Sequence, residues 1–131
     1  MSIKVWVIDK KAEEYKKNIL KKARLVASFL HLNGTIEVFL VGNRQMKKNV
    51  LSFVAKETRG RFIYPDQNDK YLGEIYLNPF YIKKNKEDIS FMLFHGLLHI
   101  AGYDHKRKND RIKMERKEKI IFSKFGDNCR L

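Results

Sequence analysis

Three of the chain's four histidines, His95, His99 and His105, fall within the run His95-Gly96-Leu97-Leu98-His99-Ile100-Ala101-Gly102-Tyr103-Asp104-His105. Imidazoles gathered this closely point to a divalent metal ion, for which neutral histidine is the commonest ligand. Residues four apart share one face of a helix, so His95 and His99 can aim at one centre. A helix that simply continued would carry His105 to another side. Gly102 supplies the stop, because glycine takes up left-handed backbone without steric cost. Helix, glycine turn and returning histidine give three nitrogen ligands with a fourth position open. That is the pattern of a catalytic zinc site rather than a closed structural one. The ligands alone would also suit nickel or iron.

The neighbouring residues argue against ordinary surface histidines. Ile89, Phe91, Met92, Leu93, Phe94, Leu97, Leu98 and Ile100 make the segment apolar nearly all round, so its helix should be buried. Buried imidazoles need partners, and two on one face call for a shared one. The spacing matches zinc proteases that carry His-Glu-x-x-His-x-x-Gly-x-x-His, in which the glutamate is the general base. Gly96 stands at that position here and carries no carboxylate. A metallopeptidase would lack its base, which makes it the weakest functional reading. Asp104 has two readings, orienting a ligand imidazole from behind or serving as a polar turn residue beside Gly102. Tyr103 likewise can stack on a base or pack into the fold.

The charge balance narrows the substrate. Lysine and arginine total 28 against 15 acidic residues, a net +13 on 131 residues. Such a field attracts polyanions, nucleic acid above all, although a lysine-rich composition can also merely solubilise a surface. Combined with a hydrolytic metal site that lacks a protease base, it favours a phosphodiester. No run is long enough to cross a bilayer, and the N-terminus alternates rather than resembling a signal peptide. The single cysteine, Cys129, cannot form an internal disulfide and reads as a spare thiol. A cytoplasmic location is the resulting expectation, with no membrane partner.

Several elements must position the histidines. Ile3 to Ile8 alternates as a first strand. Ala12, Tyr15, Ile19, Ala23, Val26, Ala27 and Leu30 recur at helical steps, predicting one amphipathic helix stopped by Asn33-Gly34, with His31 a bystander near its end. Strands follow at Thr35–Val41, Asn49–Ala55 and Leu72–Leu77, the last ended by Asn78-Pro79. Between Lys56 and Lys70 a loop or short hairpin is expected. Asn85 to Asp88 offers caps for the histidine helix, which runs to about Ala101. A last helix begins at Asn109 or Asp110, with Met114, Ile121 and Phe125 as its contact stripe. The order β-α-β-β-β-α-α predicts a mixed sheet with helices packed against it, in one domain over 1–131.

The run His-Gly-Leu-Leu-His-Ile-Ala-Gly-Tyr-Asp-His at 95–105 closely resembles the signature of the YbeY family of bacterial endoribonucleases, also described as ribosomal RNA maturation factors. Val50-Leu51-Ser52-Phe53 resembles the family's strand motif, and Gly73-Glu74-Ile75 its Gly-Asp-Ile strand. The resemblance implies an α+β domain with a mixed, mostly parallel four-stranded sheet and a metalloprotease-like zinc helix. It further implies a single-strand-specific endoribonuclease with one Zn²⁺ per chain, held by His95, His99 and His105. The implied role is late ribosome maturation, at the 3′ end of small-subunit 16S rRNA, and rRNA quality control. The implied partners are single-stranded RNA, ribosomal RNA, the small subunit, ribosomal proteins and assembly GTPases. One segment departs from the pattern. The family usually carries Asn, Arg and Thr-Asp or Thr-Asn ahead of Val-Leu-Ser-Phe, whereas here Met46-Lys47-Lys48-Asn49 runs straight into Val50. Arg44 is therefore the candidate for the family's catalytic arginine, with Lys47 or Lys48 as substitutes that lack bidentate geometry. A non-catalytic, zinc-containing ribosome-assembly factor is the alternative.

Overall fold

A computed structural model of the chain describes residues 2–55 and 70–126. The first strand, β1 (Ser2–Val7), turns Ile3 and Val5 inward and leaves Lys4 and Trp6 exposed. The single helix expected from Ala12 onward is divided. A 3-10 turn at Lys10–Tyr15, opened by the Asp9 carboxylate accepting from the Lys11 N–H, leads into α1 (Lys16–Phe29). Spacing could not show the division, because Ala12 in the tight turn and Ile19, Ala23, Val26 and Ala27 in α1 all reach the core. Beyond α1, His31 takes left-handed backbone at φ 57 and stays exposed, a bystander as expected.

β2 (Thr35–Leu40), β3 (Val50–Val54) and β4 (Tyr71–Leu77) complete a four-stranded sheet in the order β1-β2-β4-β3. β1 with β2 and β2 with β4 are parallel, while β3 runs antiparallel to β4. The sheet is thus mixed and mostly parallel. Its inner strands bury Ile36, Val38, Leu40, Ile75 and Leu77 completely on one face, the two-residue period that alternation predicts.

The Asn78-Pro79 pair does more than end β4. Asn78, fully buried, accepts from the Phe80 and Tyr81 N–H groups and starts a short helix, α2 (Pro79–Lys84), that the sequence reading did not expect. Proline suits that first helical position, where an N–H would have no partner within the helix. The Asn78 amide also donates to Asn43 Oδ1 (2.9 Å) and the Met46 carbonyl (2.6 Å), tying down the turn after β2.

The histidine helix, α3 (Ile89–Ile100), begins as expected at Asp88, whose carboxylate accepts from the Phe91 N–H at 3.0 Å. A cap contributes about 1 kcal/mol. Leu93, Phe94, Leu97 and Leu98 are fully buried, and each such side chain contributes roughly 2 kcal/mol. Packing against β3, β4, α1 and the last helix, α4 (Lys108–Phe125), therefore holds α3 in place more than local capping does. Met114 and Ile121 of α4 are buried as its stripe requires. The loop or hairpin expected at 56–70 lies, Lys70 apart, outside the described residues, as does Cys129.

Candidate metal centre

His95 and His99 project from one side of α3 with ring centroids 4.7 Å apart. The chain then leaves the helix through Gly102 at φ 103, where a Cβ would meet nothing within 4 Å; only the backbone angle calls for glycine. Tyr103 N–H donates to the Leu98 carbonyl, which closes the turn and brings His105 back. The His105 ring lies 5.1 Å from that of His99 and 5.8 Å from that of His95, centroid to centroid. One ring nitrogen of each histidine falls within 4.8 Å of the other two. Among the described residues this is the single cluster of its kind, and the sequence reading named all three members.

What lies behind the rings settles which nitrogens face inward. His95 Nδ1 meets a Glu118 carboxylate oxygen at 2.8 Å, and His99 Nδ1 meets the Tyr103 carbonyl at 3.1 Å. Carboxylates and carbonyls only accept, so both Nδ1 atoms carry the proton and donate it. With both rings neutral, the two Nε2 atoms, 3.1 Å apart, then direct lone pairs at each other. Two unprotonated nitrogens so close repel unless a cation lies between them. The separation is near the roughly 3.3 Å expected for two nitrogens bound tetrahedrally to one zinc ion. Burial lowers the His99 pKa, and the neighbouring His95 and His105 lower it further, which favours the neutral form that a metal requires. A depressed imidazole pKa keeps His99 deprotonated to lower pH.

Glu118 is the residue that sequence reasoning missed. It stands at 7% exposure on α4, midway along the stripe of Met114 and Ile121. The signal was present, since a carboxylate four residues after Met114 and three before Ile121 must share their buried face. Asp104 takes its turn reading, with its carboxylate accepting from the Lys106 N–H at 3.1 Å. Tyr103 takes its packing reading, partly buried against the core.

Gly96 explains the missing protease base. It is buried against β4, and a Cβ there would lie 3.0 Å from Ile75 Cγ2. A side chain at that position would press on the Ile75 side chain, which would have to give by a few tenths of an ångström. The turn that carries Arg44 is tied through Asn43 and Met46 to Asn78, just past the C-terminal end of β4. Arg44 is exposed in this turn after β2, where Leu40 pairs with Leu77 and Asn49 Nδ2 reaches Glu87 just ahead of α3. His99 and His105 belong to the other end of α3, where Ile100 approaches Gly73 at the start of β4. α4 exposes Lys108, Arg111, Lys113, Arg116 and Lys119 to solvent.

A family model described as "Endoribonuclease YbeY" matches residues 40–126, which include all three histidines and Glu118. Endoribonuclease YbeY of Wolbachia sp. subsp. Drosophila simulans is 35% identical over 95 residues, 65% of this chain and 58% of that protein. That of Roseiflexus sp. is 30% identical over 87 residues, covering 60% and 54%. These matches thus span little more than half of each relative. The Ehrlichia canis protein of the same name is 28% identical over 137 residues, covering 89% and 84%. A solution structure from Thermotoga maritima, 21% identical, matches the fold with a TM-score of 0.56 over 97% of this chain and 93% of that one.

Proposed function

Because the chain belongs to the endoribonuclease YbeY family, we propose that it is a single-strand-specific, zinc-dependent endoribonuclease. In this reading it acts late in small-subunit maturation, at the 3′ end of 16S rRNA, and in rRNA quality control. The observation that carries the reading is the convergence of three imidazole nitrogens with two of their rings pinned from behind.

His95, His99 and His105 would hold one Zn²⁺. When bound, such an ion supplies Lewis acidity toward a phosphate oxygen and a water acidified toward neutrality. The chain's own residues do the remaining work. Glu118 and the Tyr103 carbonyl keep the protons on Nδ1 and leave Nε2 free to ligate. Exposed lysines and arginines of α4 take phosphates of the RNA strand and set its course past the site. Arg44 is the catalytic cation of the proposal, a guanidinium that pairs with phosphate oxygens as charge builds on them. Ribosomal RNA, the small subunit, ribosomal proteins and assembly GTPases are the proposed partners, and the cytoplasm the proposed location. No helix among the described residues is long and apolar enough to cross a membrane.

The test is cleavage of one labelled RNA sequence presented single-stranded and as duplex, by zinc-loaded and chelator-stripped protein. Zinc-loaded protein should cut only the single strand, and stripping should abolish cutting until zinc is returned. Undiminished cutting by stripped protein, or equal cutting of duplex, would overturn the proposal. Added salt should weaken RNA binding steeply, since each lysine or arginine on a phosphate releases counterions.

The position of Arg44 away from the histidines favours one second reading, a zinc-braced assembly factor that does not cut. Association with ribosomal RNA that survives metal removal, with no cleavage in either state, would select it. Gly96 carries no carboxylate, so a metallopeptidase would lack its base.

A further inference from the structure

We propose that Glu118 is a positioning residue for the metal centre, and that through it the docking of α4 and the capture of the ion become one coupled event. The proposal rests on the metal-binding reading above. Glu118 lies between Met114 and Ile121 on the face that seats α4 against α3. An apolar side chain would continue that stripe at no electrostatic cost, whereas a carboxylate at 7% exposure has to be paired. Its partner is His95 Nδ1 at 2.8 Å. A neutral imidazole satisfies one oxygen lone pair but does not balance the charge.

A cation on the opposite nitrogen of the same ring changes this. It draws electron density through the imidazole, makes the Nδ1 proton more positive and strengthens its hydrogen bond to the carboxylate. Ion binding at His95 therefore stabilises Glu118 in its buried position, and with it the seating of α4. The coupling is reciprocal, so a well-seated α4 raises the affinity for the ion. α4 is also the helix whose outer face exposes Lys108, Arg111, Lys113, Arg116 and Lys119. The metal state thus reaches the basic surface proposed to bind RNA without any change in the ligands themselves.

The experiment measures zinc affinity by competition with a chromophoric chelator, for the unmodified chain and for Glu118→Gln. It adds amide hydrogen exchange of α4, with and without zinc. The Gln variant keeps the side-chain volume and an acceptor oxygen but loses the charge. The expected result is an affinity loss of about 10- to 100-fold in Glu118→Gln, with its circular dichroism unchanged. Zinc should slow exchange across residues 114–122 in the unmodified chain and much less in the variant. The exchange measurement on the unmodified chain stands even if the variant does not fold. Failure of the unmodified chain to take up zinc would sink the metal reading itself. Zinc uptake with unchanged α4 exchange, or undiminished affinity in Glu118→Gln, would overturn this proposal alone.

Discussion

The helix-borne half of the metal centre and its loop-borne half are held by different means. His95 and His99 stand on a helix whose Leu93, Phe94, Leu97 and Leu98 are fully buried, and each ring is fixed from behind by an acceptor. His105 is exposed, arrives through a glycine turn, and makes no hydrogen bond to another described residue. Two of the candidate ligands are therefore preorganised by the core, and the third would close on an ion from a loop. The binding energy follows from this. Little ordering remains to be done at the pair, while the third ligand must give up loop and side-chain freedom on binding.

Removing one histidine at a time separates the two halves most strongly. His99→Ala removes half of the preorganised pair, so zinc affinity should fall by more than about 100-fold, beyond what loss of a supporting residue costs. His95→Ala should fall as far and should also leave the Glu118 carboxylate buried without its partner, which lowers stability as well. His105→Ala should fall less, leaving weak but measurable binding by the α3 pair. Isothermal titration of the three variants decides the matter: an affinity for His105→Ala as low as for His99→Ala would mean that loop and helix contribute alike.

A smaller effect separates backbone from ligand. Gly102→Ala introduces a Cβ that touches nothing, so its whole consequence comes from holding alanine at φ 103. That conformation should cost about 1–2 kcal/mol in urea unfolding. Because the strain falls on the turn, zinc affinity should decline in step through His105, while the His95–His99 pair keeps its geometry. Gly96→Ala offers the converse, since its Cβ would press on the Ile75 side chain at 3.0 to 3.2 Å. Overpacking there should destabilise by about 1–3 kcal/mol and push α3 away from the sheet. The discriminating measurement is zinc affinity against stability for both variants. Equal losses of affinity per unit of stability would erase the distinction between turn and helix.

How much of this was legible from residues alone follows the same division. The histidine spacing, the greasy helix and the glycine stop each have a local cause, and all three appear where the sequence places them. Strand order did not follow from periodicity, because β3 joins the sheet beyond β4 through pairing that no local pattern encodes. The 3-10 turn before α1 was hidden because Ala12 serves the core in either geometry. The short α2 was hidden behind its own cap: Asn78-Pro79 ends a strand and starts a helix with the same two residues. Glu118 was legible in principle, as a charge within an apolar stripe, but its meaning required knowing that α4 packs beside His95.

The smallest expected effect on the metal centre belongs to Arg44, and there the comparison reaches the proposed chemistry. Arg44 lies in an exposed turn, at the end of α3 away from His99 and His105. Arg44→Ala should therefore leave zinc affinity unchanged and stability within about 0.5 kcal/mol, as for surface substitutions in general. If its guanidinium takes charge from the phosphate in the transition state, single-strand cleavage should still fall by about 100- to 1,000-fold. Arg44→Lys should recover little of that loss, since an ammonium cannot reproduce the paired N–H geometry. Cleavage rates of both variants, measured with zinc saturating, separate the outcomes. A large loss would show that the turn after β2 reaches the scissile phosphate once RNA is bound. An unchanged rate would remove Arg44 from the mechanism and leave Lys106 and Arg107, which follow His105 directly, as the cations nearest the three histidines along the chain.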